Sequence, residues 1–150
     1  MVFGNYSSIL VNTTRPLVRF SSKVTKECNM QTIGKQYLDN WISTLKTKDP
    51  KKMVSLYHKN AVLLPTLDSS IRNTHDKIEE YFKSFLAKGP VCNVQEIQSF
   101  ELSDSSVSVV GHYGFSFNDK SSANARFTYI FTKDSLGKWA ITHHHSSLQP

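Results

Sequence analysis

A chain of 150 residues with 39% hydrophobic and 20% charged residues sets one globular domain as the default. It has no apolar run near the ~20 residues of a membrane span. The net charge of +6 suggests nucleic acid, but four of the 18 basic residues and none of the 12 acidic ones lie in residues 1–26. The remainder stands at 14 basic against 12 acidic residues, a balance that excludes a nucleic-acid surface as the organising feature.

Residues 1–26 are rich in Ser, Thr and Val and carry spaced Arg15, Arg19, Lys23 and Lys26. That is the composition of a mitochondrial transit peptide, with Arg19-Phe20-Ser21-Ser22 resembling a processing site; a plain N-terminal tail is the alternative. The expected domain runs over 27–150. Cys28 and Cys92 lack metal-type spacing and predict no disulfide framework; Cys92 reads as a small buried apolar residue.

Ile33, Tyr37, Leu38, Trp41, Ile42 and Leu45 recur at helical spacing, which predicts an amphipathic helix over about 31–47. Asp49-Pro50 then reads as an N-cap followed by a first-turn proline, opening a short helix. Ala61 to Leu64 is a short buried strand stopped by Pro65. Asn73-Thr74 starts a third helix with Ile78, Tyr81, Phe82, Phe85 and Leu86 on its apolar face, and Gly89-Pro90 ends it. From there the period becomes two, giving strands over about 91–102, 105–118, 122–133 and 138–148. Helices followed by an antiparallel meander predict an α+β fold in which a curved sheet wraps the first helix as a cone.

The last two strands hold most candidates for chemistry. Ala125, Phe127, Tyr129 and Phe131 share one face, with Arg126, Thr128, Ile130 and Thr132 on the other. Strict alternation puts Ile141, His143, His145 and Ser147 on one side of the last strand and Thr142, His144 and Ser146 on the other; which side meets the cone stays open. An arginine facing the cone would bind a carboxylate through its planar fork, and Arg126 is placed there. His143 and His145 are candidates for acid–base work because imidazole titrates near neutral pH, and His144 for ligand positioning. A metal would need His143 and His145 joined by a third ligand such as His112, with no acidic residue on those strands to help; no metal and no cofactor are expected. Of the carboxylates, only Asp68 follows a strand closely enough to reach the cone mouth, which makes it the carboxylate candidate for acid–base catalysis. Trp41, Tyr57 and Tyr113 are the aromatics expected to touch a ligand.

Leu56-Tyr57, Ala61 through Thr66, Tyr81-Phe82 with Phe85, Gly111 through Phe115, Ala125 through Thr128 and Trp139 through Pro150 also occur in a familiar order. Over about 30–150 the chain resembles the nuclear transport factor 2-like, or SnoaL-like, superfamily. Within it the chain is most similar to the calcium/calmodulin-dependent protein kinase II association domain and its stand-alone SgcJ/EcaC-type relatives. The resemblance implies a cone-shaped fold and self-association, as a homodimer through the outer sheet face or as a higher oligomer. It also implies a cavity that accepts a small polar or carboxylate ligand. Arg126 lies on a strand matching an arginine-bearing one of that domain, but Ser146, and Gly111 with His112, stand where further arginines occur there. Three functions stay open: a small-molecule-binding homo-oligomer without a kinase, an isomerase, dehydratase or cyclase acting on a hydrophobic carbonyl compound, and an oligomerisation hub. No membrane or nucleic-acid partner is expected.

Overall fold

The computed structural model describes the backbone of residues 22–150 and the side chains from Thr32 onward. The leader reading of residues 1–26 therefore falls largely outside the described residues, as does the side chain of Cys28. Ser22 to Lys26 already belong to the first helix, α1 (Ser22–Leu45), which starts earlier than the apolar periodicity indicates.

α2 (Pro50–Val54) follows at once, with Asp49 as N-cap accepting from the amides of Lys51 and Lys52. β1 (Tyr57–Leu64) is longer than its apolar core suggests, because the polar residues 58–60 stay in the extended run. α3 (His75–Ala87) is capped by the Thr74 side chain on Lys77 N–H. Gly89 then takes a left-handed conformation, φ 63°, that its lack of a Cβ permits. β2 (Val91–Ser103), β3 (Ser106–Ser116), β4 (Ser122–Lys133) and β5 (Trp139–Leu148) form the expected antiparallel meander.

The five strands make one sheet in the order β1-β5-β4-β3-β2, with β1 parallel to β5. The sheet curls around α1 without closing. Helix and sheet meet closely at Gly34, where a Cβ would come within 2.8–3.0 Å of Val109, Ser99 and Val107 side-chain atoms. Leu38, Trp41 and Leu45 of α1 pack with Phe82 of α3 and with Tyr113, Phe127, Tyr129 and Phe131 from the concave sheet face, all at 3% exposure or less. This core decides which way β4 faces. Turning Phe127, Tyr129 and Phe131 inward stabilises the fold by about 1.5–3 kcal/mol each, and the period of two then forces Arg126 out.

β5 departs from strict alternation. Ile130 pairs with His143 and Phe131 with Ile141, so Thr142 has no opposite number on β4. This β-bulge resets the phase: Ile141, His144 and Ser146 are buried, and His143 and His145 face outward.

Candidate functional site

Between α1, α3 and the concave sheet face the cone holds a cavity of about 260 Å³. Its walls are aromatic: Trp41, Tyr81, Phe85, Tyr113, Phe115 and Phe117. Small side chains on β4, Ala123 and Ala125, leave the room that larger residues would fill.

The floor is a single chain of hydrogen bonds. Trp41 Nε1 donates to Tyr57 Oη at 3.1 Å, and Tyr57 Oη lies 2.8 Å from His144 Nδ1. His144 Nε2 lies 3.4 Å from Tyr113 Oη, which donates to Ser146 Oγ at 2.8 Å. Ser146 in turn bonds the Thr66 hydroxyl at the cavity wall. His144 is stacked on Tyr129, centroids 3.9 Å apart and planes at 22°, and meets Trp41 edge-on. Burial lowers its pKa to about 3, so the ring is neutral. Burial also raises the phenols of Tyr57 and Tyr113, so they remain protonated. The Tyr129 hydroxyl lies beside Tyr113 without a hydrogen bond of normal geometry.

At the mouth the charges cancel. Arg72 donates through Nε and Nη2 to Asp68 and through Nη1 to Glu80, each within 2.8 Å. The Ser70 amide and then the Arg72 guanidinium hold the Asp68 carboxyl below its ordinary range. The aspartate is thus a paired anion, the reverse of the raised pKa a general base needs near neutral pH.

Set against the sequence expectations, Trp41, Tyr113 and His144 line the cavity, Tyr57 lies directly behind His144, and Asp68 is at the mouth. Arg126, His143 and His145 do not reach it. Arg126 is exposed on the convex face, paired across the strands with His112 and Ser147, because its neighbours' aromatic rings claim the interior. His143 and His145 lie on that same outer face because of the bulge at Thr142, which strict alternation cannot anticipate. Sequence reasoning missed Thr66, Arg72 and the role of Ser146. The Asp68–Arg72 spacing of four was a readable ion-pair signal, whereas nothing in the sequence joins Thr66 to Ser146 across 80 positions. Cys92 is half-buried, and burial pushes its thiol up to about 12, consistent with a packing role.

A curved, unclosed five-stranded sheet wrapped on a helix, with a cavity at its concave face, defines the nuclear transport factor 2-like fold class. Its solved relatives agree. A kinase association domain protein from Xanthomonas campestris is 36% identical, with a TM-score of 0.71 over 75% of this chain and 83% of that one. A nuclear transport factor 2-like protein of unknown function from Pseudomonas putida (11% identity, TM-score 0.70, 80% and 87% covered) shares the fold. So does a ketosteroid isomerase-like protein from Erwinia carotovora atroseptica (13% identity, TM-score 0.63, 77% and 94% covered). Within that class, the calcium/calmodulin dependent protein kinase II association domain family matches residues 31–150, and the chain belongs to it. No curated protein matches the sequence.

Proposed function

We propose that the chain is a small-molecule-binding homo-oligomer, with the cone cavity as its ligand site and the convex sheet face as its self-association surface. The observation that carries the first half is the cavity itself: about 260 Å³, with aromatic walls, a hydrogen-bonded polar floor and a charged mouth. Such a site orients a compact molecule with an apolar body and one polar end.

The second half draws on family membership and on the convex face. There Val62, Val110 and Ile130 are half-buried, Leu64 and Phe100 are 38% and 49% exposed, and Glu96 lies in the same cross-strand row as His112 and Arg126. A broad sheet face of mixed apolar and charged residues suits pairing with a second copy. Acid–base catalysis is the less favoured reading, because Asp68 is tied to Arg72 and His144, the histidine that lines the cavity among the described residues, is held neutral by burial. The composition of residues 1–26 supports delivery to the mitochondrial matrix, which expression with a C-terminal fluorescent protein tests directly.

Native mass spectrometry of the full chain, purified gently from cells, tests the main proposal. The expected result is a dimer or larger assembly carrying a retained small-molecule mass that is lost in Ala125→Phe, whose added ring fills the cavity. A monomer would remove the self-association half. An empty assembly that binds no member of a fragment library would remove the ligand half.

A further inference from the structure

We infer that the cavity selects an uncharged ligand presenting a hydrogen-bond acceptor, a carbonyl or ether oxygen, to the hydroxyl of Thr66. The inference rests on the reading of the cavity as a small-molecule site and adds the chemical class of what fills it.

The direction of the floor's hydrogen bonds carries the argument. An indole N–H can only donate, so Tyr57 Oη accepts from Trp41 and its own proton is free for His144 Nδ1. That fixes the imidazole proton on Nε2, facing Tyr113 Oη. The far side gives the same tautomer independently. Tyr113 spends its proton on Ser146, so it has only lone pairs to offer His144 and requires a donor there. Either hydroxyl of the Ser146–Thr66 pair can donate, but Ser146 is buried, and among the described residues Thr66 is the remaining acceptor within its reach, so the Ser146 proton is assigned to Thr66. Every proton in the chain therefore points the same way, from the buried indole toward the cavity wall. Thr66 is the last member and accepts from Ser146. Among the described residues its hydroxyl has no second partner, so its proton is the one left to donate. Aligned bonds polarise one another, which makes this terminal hydroxyl a better donor than an isolated threonine.

The charges exclude the other class of ligand. The deep walls carry no ionised group, since His144 is neutral and the phenols are protonated. At the mouth Asp68, Arg72, Glu80 and Lys88 sum to zero, and the Arg72 fork is already filled by two carboxylates. An anion moving to the floor would leave water without a cation to meet it. A neutral acceptor on a flat ring loses little solvation and gains the aromatic walls.

Isothermal titration calorimetry of the full chain with three naphthalenes of similar shape tests this: 2-acetylnaphthalene, 2-naphthoate and 2-ethylnaphthalene. The expected order places the ketone about tenfold tighter than the carboxylate. Thr66→Val should weaken the ketone about fivefold and leave the hydrocarbon unchanged, with Thr66→Ser restoring the ketone. Tighter binding of 2-naphthoate than of the ketone would overturn the ligand class while leaving the cavity a binding site. Equal losses for ketone and hydrocarbon in Thr66→Val would likewise overturn the role of the hydroxyl. Failure of all three to bind, with the cavity also empty by mass spectrometry, would overturn the small-molecule reading beneath it.

Discussion

Replacing His144 by asparagine removes the buried imidazole and, with it, a pH dependence whose size the structure sets. Asparagine still offers the Tyr57 hydroxyl an acceptor but has no proton to gain. In the folded chain His144 has a pKa of about 3, against an ordinary 6.5 once the chain unfolds, and burial is the main cause. The folded pKa is depressed, so the unfolded chain takes up the proton first as pH falls. Stability is therefore full above about 6.5, declines below it and levels off near 3. At ~1.4 kcal/mol per pH unit, this single group costs the fold ~2 kcal/mol between pH 7 and pH 5. Both pH values lie above the range of Asp68 and Asp119, whose lowered pKa values keep them ionised throughout. Urea unfolding at pH 7 and pH 5, followed by circular dichroism at fixed protein concentration, reads the effect. The wild type should lose ~2 kcal/mol more than His144→Asn over that interval. Equal losses would refute the argument, as would a His144 ring resonance that titrates near 6.5 by nuclear magnetic resonance.

Two phenols differ in sign under the same assay. Tyr57→Phe strips a partner from both Trp41 and His144 and should destabilise by ~2–3 kcal/mol, whereas Tyr129→Phe deletes a buried hydroxyl without a well-formed bond and should be neutral or slightly stabilising. Gly111→Ala would place a Cβ 2.0 Å from the Glu96 carbonyl oxygen, so the β2–β3 ladder must shift; a loss above ~2 kcal/mol is expected in thermal unfolding. Arg126→Ala should leave calorimetric binding of 2-acetylnaphthalene unchanged, since the guanidinium lies on the convex face.

The elements that the sequence made legible are those with a strong period and chemical punctuation. Asp49-Pro50, Thr74 and Gly89-Pro90 mark helix ends through local hydrogen bonds and backbone geometry, and the structure uses all three. The alternation on β4 likewise sorted Phe127, Tyr129 and Phe131 from Arg126, although the expectation that Arg126 faces the cone is reversed. What stayed hidden depends on a single residue or on distance. One unpaired threonine, Thr142, exchanges His143 and His145 for His144 at the site, and no local propensity announces a bulge there. Arg126 attracted attention as a charge in an apolar strand, yet burial of its neighbours outweighs any attraction it would feel inside. Tyr113 was expected at the site as an aromatic, but the alignment of its hydroxyl with those of Thr66 and Ser146 exists only in the fold.

The place of β5 between β1 and β4 has a consequence for the order of events in folding. The β2 to β5 meander can assemble through successive hairpins, each closing a short loop. β1 cannot join until β5 exists to receive it, and the Tyr57–His144 bond then closes a separation of 87 residues. Such distant pairings are slow because loop closure precedes any return from contact. Until β1 docks, the histidine-bearing edge of β5 is an open strand, able to pair with the wrong chain. The floor of the cavity is completed by that same docking step. A ligand that needs the finished floor would thus recognise only chains that have passed the slowest step, and by mass action would hold them there.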